Sequence, residues 1–266
     1  SVPDNEEAEE KLRARNNLLL FILNLCLCHS IKINDEDGVK IFEGVSSDEV
    51  SFLQGMDRLG IDIKTEYNYN SGFMNISINS TTLEIDPTTF EILDTFPFSY
   101  TRRRMSVIAK EKKTGKMYLF SKGAHESIEK QCSEKYDMFN EQVESFSYLG
   151  LRVMAFSYKE IDQAEYDRYR SDFNEINRTA QLEEHESRIE NLDQSIEGGQ
   201  ILLGCTAIED KLQENTAQTI EMLRNAGIKI WMVTGDVEGT SLKIARTTKL
   251  LDPNSELINI TKEGIN

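Results

Sequence analysis

The first part of the chain shows two helical patterns of apolar and polar residues. Pro3 and the acidic residues after it are start signals of a helix, which becomes largely apolar between Leu18 and Cys28. A second helix is predicted over residues 48–59, where Gly60 ends it. Both helices therefore come before the first predicted strand.

Short apolar runs separated by Asn, Ser, Gly and Pro follow, and this pattern is typical of strands. The predicted strands are 61–63, 73–78, 82–85, 90–98 and 105–110. The sequence from Lys112 to Gly115 has the composition of a hairpin turn and leads into a strand over residues 116–121. So many strands joined by short turns predict an antiparallel sheet.

The next region returns to helical patterns. Helices are predicted over residues 123–132 and 136–149, with a strand over residues 152–158. Residues 163–197 are polar and rich in Glu and Arg, with apolar residues at helical spacing. We interpret this region as a pair of surface helices whose charges are solvated rather than functional.

Gly198 and Gly199 separate this helical pair from a part in which strands and helices alternate. Residues 228–233 form a short apolar run bounded by glycines, which predicts a buried parallel strand. A chain of 266 residues is long enough for two domains, and we place the boundary near Gly198. The predicted fold class is α+β over residues 1–198, an antiparallel sheet with flanking helices, joined to a partial α/β domain over residues 199–266.

The formal net charge of −16 limits the expected partners. An acidic surface repels a phosphate backbone, so we expect no nucleic acid partner. The four cysteines lack the spacing of a metal site or a disulfide framework, which favours a reducing compartment. The apolar run at 18–28 is too short to span a bilayer and follows acidic residues, so we expect neither a transmembrane segment nor a signal peptide.

A phosphate site is predicted at the end of the strand over residues 228–233. Thr234, Gly235 and Asp236 follow this strand, at the edge where open α/β sheets bind ligands. A hydroxyl can donate to a phosphate oxygen, a carboxylate can hold Mg²⁺ directly or through water, and a glycine lets the backbone come close. The sequence predicts half of a phosphate-handling site, because a nucleophile is missing.

Other segments have side chains that suit a nucleotide. Phe98 comes at a strand end, where its ring could stack on a purine, although either Phe96 or Phe98 could instead fill the core. The three arginines at 102–104 cannot all face one way on an extended chain, so we expect at least one to point inward, with a solvated basic turn as the alternative. Lys122 at a strand end could contact a nucleotide, and Arg152 needs an anion or an internal salt bridge.

Together these segments resemble the motifs of P-type ATPases. The resembling stretches are residues 25–30, 46–49, 98–107, 122–124, 150–152, 206–213 and 234–236. The sequence Arg102-Arg103-Arg104-Met105-Ser106-Val107 is similar to the phospholipid-flippase (type IV) branch, and so is Thr206-Ala207-Ile208-Glu209-Asp210-Lys211-Leu212-Gln213. The resemblance covers nearly the whole chain. It implies an ATP-binding fragment on the cytoplasmic face of a membrane, belonging to a phospholipid-transporting membrane protein.

In that family a nucleotide-binding domain is inserted into a haloacid-dehalogenase-like phosphorylation domain. The resemblance implies that Phe98 stacks on adenine, that Lys122 lines the same pocket and that Arg152 approaches the ribose or phosphates. It also places Glu49 near the base. The remaining implied positions are Ser99 and Gly123 in the nucleotide site, and Asp210, Thr234, Gly235 and Asp236 near the γ-phosphate and Mg²⁺.

The resemblance also implies what the fragment lacks. Phosphoryl transfer would go to an aspartate in an Asp-Lys-Thr-Gly-Thr motif, and this sequence does not contain that motif. We therefore do not expect the fragment to be catalytically competent by itself. The expected cofactors are ATP and Mg²⁺, and the expected partners are the rest of the parent membrane protein and an accessory subunit. The fragment itself is expected to be a monomer.

Two departures from the flippase pattern leave a second function open. His125 stands where the pattern has an aspartate, and Val237 stands where it has a lysine. A degenerate ATPase-like module that binds nucleotide poorly would fit these changes. Such a module could serve regulation or assembly, as where flippase-like regions are fused to guanylate cyclases.

Overall fold

The structure is a computed structural model that describes residues 3–36, 38–134, 136, 138–179, 181–209, 212–235, 238–252, 255–258, 260–261 and 264–265. The chain divides into two compact units. The first consists of Ser1–Phe139 and Met154–Cys205, and the second of Asn140–Val153 and Thr206–Asn266. The boundary near Gly198 stays a prediction.

A large sheet forms the centre of the first unit. A hairpin of β1 (Lys32–Glu36) and β2 (Val39–Glu43) precedes it. The strands of the large sheet are β3 (Asp62–Asn68), β4 (Phe73–Ser80), β5 (Ile85–Phe96), β6 (Arg104–Glu111), β7 (Met117–Gly123), β8 (Cys132–Glu134), β9 (Arg152–Ile161) and β10 (Gln200–Ile208). Their order is β3-β4-β5-β6-β7-β9-β10-β8. Neighbours from β3 through β7 to β9 are antiparallel, and β8 is parallel to β10. An α+β fold with a mainly antiparallel sheet is thus confirmed.

The helices follow the sequence pattern closely. They are α1 (Pro3–Leu27), α2 (Ser47–Arg58), α3 (His125–Gln131), α4 (Phe139–Tyr148), α5 (Gln163–Thr179), α6 (Leu182–Ile196), α7 (Thr216–Asn225) and α8 (Glu238–Thr247). Ser46 caps α2 by accepting a hydrogen bond from the Glu49 N–H at 3.3 Å. Within the described part of the chain, no helix is long and apolar enough to cross a membrane.

One face of the sheet packs against α1 and α2. The rings of Phe21 in α1 and Phe52 in α2 each meet the edge of the Phe156 ring, with centroids 5.1 and 5.6 Å apart. Asn24, buried on the apolar side of α1, joins the helix to two strands at once. Its amide Nδ2 donates to the carbonyl oxygens of Ser121 at 3.0 Å and Ser157 at 2.9 Å. These bonds fix the position of α1 on the sheet.

The opposite face of the sheet packs against α5 and α6. Because side chains alternate between faces along a strand, Ile108 and Leu119 point to this side. They form one apolar cluster with Phe96, with Tyr169 of α5 and with Ile196 of α6. The sheet is thus the middle of three layers.

The structure differs from two strand predictions in the first half of the chain. Residues 82–85 do not form a strand of their own, because residues 81–84 are a turn in which Glu84 has a positive φ of 53°. The predicted strand 90–98 coincides with β5 over residues 90–96, but β5 begins earlier, at Ile85, and ends at Phe96. The turn predicted from Lys112 to Gly115 is present, with Gly115 at a φ of 74° and its N–H donating to the Glu111 carbonyl.

The second unit is mainly helical in its described residues. The Gly150 backbone has a φ of +71°, and its neighbour Leu149 accepts a hydrogen bond from the Lys243 ammonium of α8. Lys249 pairs with Glu221 of α7 at 2.8 Å. The remaining elements are the short strands β11 (Ile260–Thr261) and β12 (Gly264–Ile265).

The buried parallel strand predicted over residues 228–233 is absent. This segment has no strand assignment, and the side chains of Trp231 and Val233 are 84% and 94% exposed. A parallel strand needs hydrogen-bonded neighbours, and no strand of the described residues pairs with this segment. Its apolar composition therefore does not place it in a sheet of this chain.

The contacts of Asn24 predict a large loss of stability in Asn24→Ala. The substitution removes two buried hydrogen bonds that join α1 to β7 and β9. We expect the free energy of unfolding to fall by about 2–3 kcal/mol in urea denaturation.

Asn16→Ala is the matched control, because Asn16 lies in the same helix with an exposed side chain. We expect it to change the unfolding free energy by less than about 0.5 kcal/mol. Equal effects of the two substitutions would show that Asn24 does not hold the helix to the sheet.

Candidate functional site

The loop between β5 and β6 carries Phe98. Phe96, the last residue of β5, is buried in the core, whereas Phe98 is 55% exposed. The Phe98 ring meets the edge of the Tyr100 ring, with centroids 5.6 Å apart and an interplanar angle of 81°. Of the two phenylalanines that could fill the core, Phe96 does so and Phe98 presents its ring at the end of the sheet.

Lys122 lies near the end of β7 and forms a buried ion pair with α2. Its Nζ is 2.7 Å from Oε1 of Glu49, and the two side chains are only 5% and 7% exposed. The second carboxylate oxygen of Glu49 accepts hydrogen bonds from the Ser30 N–H and hydroxyl, both at 2.9 Å. Each charge of this pair is therefore satisfied within the protein.

The electrostatics of this cluster keep it neutral overall. Burial favours the neutral form of the Glu49 carboxyl, but attraction to the Lys122 ammonium and hydrogen bonds from Lys122 and Ser30 outweigh it and lower the pKa of Glu49. Burial, with a smaller contribution from Lys122, lowers the pKa of His29 to about 4. At neutral pH the cluster therefore contains one anion, one cation and a neutral imidazole whose Nδ1 accepts from the Ile31 N–H at 3.1 Å.

Gly123 is required by a close approach of two backbone segments. A Cβ at this position would lie 2.7 Å from the Cα of Arg104 and closer still to the Arg103 carbonyl oxygen. The Ala124 N–H donates to that same carbonyl at 3.0 Å. This hydrogen bond joins the loop after β5 to the end of β7 at one end of the sheet. Only glycine fits at position 123, because the two backbones lie so close together.

Two of the three consecutive arginines point into the protein. Arg102 and Arg104 are 6% and 3% exposed, and both pair with Glu197, a carboxylate with no exposed surface. The Arg102 Nη1 lies 2.8 Å from Glu197 Oε1, and the Arg104 Nη2 lies 2.6 Å from Oε2. The Ser106 hydroxyl also donates to Oε1. Arg103 faces outward and pairs with Glu126 at 2.7 Å, so the prediction that at least one arginine points inward is confirmed.

Residues of α6 take part in this site, and sequence reasoning missed them. The expectation that charges of the helical pair are solvated was wrong for Asp193 and Glu197, which are 6% and 0% exposed. Glu190 of α6 accepts a hydrogen bond from the Ser99 hydroxyl at 2.7 Å. These acidic residues occur at positions 190, 193 and 197, which is the spacing of one helical face. These acidic residues, considered together with the three arginines at 102–104, could have indicated an ion-paired contact between the two segments.

The other predicted site residues belong to the second unit. Arg152, the first residue of β9, is half-buried, and Thr234 and Gly235 are exposed. Asp210 and Asp236 lie outside the described residues, as does Val237. The carboxylates that the sequence offers to Mg²⁺ are therefore not described. The predicted site residues that lie in the first unit are Glu49, Phe98, Ser99, Lys122 and Gly123.

The burial of Asp193 predicts a stability change with pH. Burial raises the pKa of this carboxyl to about 6, against opposing contributions from Tyr169 and Arg102. A pKa raised in the folded state gives stability that is present below the unfolded pKa of about 3.9 and is lost as pH rises through 6. Asp193→Asn keeps an acceptor for the Tyr169 hydroxyl, which lies 3.1 Å away, and carries no charge. We expect the variant to exceed the wild type in unfolding free energy by up to about 3 kcal/mol above pH 6.

Urea denaturation between pH 4 and pH 8 provides the measurement. The difference between variant and wild type should grow with pH and then level off. Glu186→Gln removes one exposed negative charge from the same helix and controls for net charge. A difference for Asp193→Asn that stays constant with pH would contradict the prediction.

Comparison with known proteins agrees with the resemblance read from the motifs. Residues 17–215 match the family model described as P-type ATPase, cytoplasmic domain N. The chain is 34% identical to the human phospholipid-transporting ATPase IH, over 98% of this chain and 23% of that protein. It is 32% identical to the human phospholipid-transporting ATPase IG, over 94% and 22%, and 30% identical to the phospholipid-transporting ATPase 2 of Arabidopsis thaliana, over 89% and 21%. The chain thus spans between a fifth and a quarter of the length of these relatives. It belongs to the P-type ATPase family, and its relatives are phospholipid-transporting members.

Proposed function

We propose that this chain is the ATP-binding part of a phospholipid-transporting P-type ATPase, a flippase, and that adenine stacks on Phe98. The exposed ring is the observation that carries the proposal. Phe90, Phe96, Phe120 and Phe156 in the same sheet are at most 2% exposed, whereas Phe98 is 55% exposed. Stacking a purine on the ring would remove apolar surface from water on both partners and contribute about 1–3 kcal/mol.

The ion pair of Lys122 and Glu49 supports a base rather than a phosphate beside these residues. The Lys122 ammonium is already paired with Glu49 at 2.7 Å, so a phosphate would have to compete with a buried carboxylate. A neutral purine requires no such exchange. Lys122 and Glu49 would then line the adenine pocket, while Ser99 and Gly123 shape the loop and strand end beside it.

We assign the rest of the nucleotide to the remaining predicted site residues. In the proposal Arg152 approaches the ribose or phosphates. Residues 199–266 would form part of a haloacid-dehalogenase-like phosphorylation domain, and residues 1–198 the nucleotide-binding domain. The positions near the γ-phosphate and Mg²⁺ would be Asp210, Thr234, Gly235 and Asp236.

The fragment would present ATP to an aspartate elsewhere in the parent protein. A carboxylate oxygen of that aspartate would form a bond to the γ-phosphorus, and the bond from phosphorus to the departing ADP oxygen would break. Mg²⁺ would neutralise the phosphate charge. The fragment would lie on the cytoplasmic face of a membrane, joined to the rest of the parent and, through it, to an accessory subunit.

The expected affinity is low. One stacked base and a few polar contacts must offset at least about 4 kcal/mol of lost freedom on association, so we expect a dissociation constant of roughly 0.1–1 mM or weaker. The net charge of −16 adds long-range repulsion of an anionic ligand. Weak binding suits a domain that must release ADP after each transfer.

Phe98→Ala tests the proposed stacking. We expect the substitution to weaken ATP binding by about tenfold or more, because the aromatic platform is lost. The change should leave unfolding nearly unaffected, since the ring is mostly exposed. Isothermal titration calorimetry with MgATP, together with urea denaturation, measures both quantities.

Tyr69→Ala provides the matched control. Tyr69 is also an exposed aromatic residue, 89% exposed, but it lies in the turn between β3 and β4 at the far edge of the sheet. This variant should bind ATP as the wild type does. The proposed site would be refuted by equal affinities of the wild type and Phe98→Ala.

A further inference from the structure

The loop that carries Phe98 is attached to α6 through polar contacts. The Ser99 hydroxyl donates to Oε1 of Glu190 at 2.7 Å. Arg102 Nη1 lies 2.8 Å from Oε1 of Glu197, and its Nε lies 3.9 Å from Oε1 of Glu190. The loop is therefore bonded to two carboxylates, one within α6 at Glu190 and one at Glu197, which directly follows the end of this helix.

Further bonds link these attachment points to the residues on both sides of Phe98. The Arg102 guanidinium donates to the carbonyl of Pro97 at 2.6 Å, and the Arg102 N–H donates to the Ser99 hydroxyl at 3.1 Å. The Arg103 N–H donates to the Ser99 carbonyl at 2.7 Å. The backbone of Phe98 is thus held at its preceding and its following residue.

Packing does little of this positioning. The Phe98 ring is mostly exposed. It contacts the ring of Tyr100, which is itself 92% exposed. A cavity of about 270 Å³ is lined by residues 101–104 and by residues of α3 and α6, among them Glu190. Part of the space next to α6 is therefore unfilled, and we attribute the position of the Phe98 end of the loop mainly to the hydrogen bonds.

The helix end of these bonds is rigid. Leu192 and Ile196 of α6 pack against the apolar cluster that contains Phe96 and Ile108. Helix α6 is therefore held against the sheet by this packing. The hydrogen bond between Ser99 and Glu190 attaches the loop to this helix.

We propose that Glu190 is a positioning residue for nucleotide binding, acting through its hydrogen bond to Ser99 to hold Phe98 in the orientation that stacks on the base. This inference rests on the proposed ATP site. Glu190 does not touch the base itself. Its hydrogen bond restricts the loop before the nucleotide binds, so the loop loses less conformational freedom on binding. This pre-organisation increases affinity.

Two Glu190 variants separate the hydrogen bond from the charge. Glu190→Ala removes the acceptor, and we expect it to weaken binding of ATP and AMP by the same factor, about 3- to 10-fold, because the effect is at the base. Glu190→Gln keeps an acceptor for the Ser99 hydroxyl and should bind within about twofold of the wild type. A simple charge effect would act in the opposite direction, since loss of an anion would strengthen binding of ATP more than of AMP.

Ser99→Ala completes the test as a double-mutant cycle. If Glu190 acts through Ser99, the double variant Glu190→Ala/Ser99→Ala should bind ATP as Ser99→Ala alone does, because Ser99→Ala already removes the hydrogen bond to Glu190. Amide hydrogen exchange at Arg102 should be faster in Glu190→Ala, because the acceptor of its N–H is released. Urea denaturation of each variant identifies any loss of affinity that comes from unfolding.

The results distinguish this inference from the proposed function. If Phe98→Ala loses affinity while Glu190→Ala, still folded, binds as the wild type does, only the positioning role is overturned. Equal weakening in Glu190→Ala and Glu190→Gln, or additive losses in the double variant, would overturn it as well. If Phe98→Ala and the wild type bind ATP equally, the proposed site fails and the positioning role fails with it.

Discussion

The buried carboxylate of Glu197 is the interaction on which this end of the molecule depends. A charge without exposed surface must be paired, and Glu197 is paired with Arg102 and Arg104, more than 90 residues earlier in the chain. The contact joins α6, the start of β6 and the loop after β5. Removing one partner of such a group typically destabilises a protein by about 3–5 kcal/mol, because the remaining charge is left buried and unpaired.

The charged residues at this end of the sheet are paired with one another, and this pairing determines which groups remain accessible to a ligand. Lys122 is paired with Glu49, and the two inward arginines are paired with Glu197. Opposite charges are thus satisfied inside the protein, and an exposed aromatic ring is left at the surface. These charges and this exposed ring would suit a flat neutral group better than a phosphate, which agrees with the proposed division of the nucleotide between base and phosphate sites.

Local patterns in the sequence predicted most of the secondary structure. They did not decide which of Phe96 and Phe98 fills the core and which is exposed. The pattern could not decide, because both residues lie on the same side of an extended chain, and only the end of β5 at Phe96 separates them. The prediction of a strand over residues 228–233 was wrong for a related reason. The apolar composition of this segment suits a strand, but a strand also needs hydrogen-bonded neighbours. The acidic residues at 190, 193 and 197 indicate a charged helical face, but the pairing of Glu197 with Arg102 and Arg104, which are distant in sequence, is shown only by the fold.

Nuclear magnetic resonance mapping of ATP binding tests the central claim most directly. We predict that adding MgATP to the isotopically labelled protein shifts the amide signals of residues 97–103 and 122–124 and those around Glu49 at the start of α2. Signals of the β3–β4 turn should stay in place. Shifts confined to residues 212–258, with none in the loop that carries Phe98, would contradict a base site at the end of this sheet.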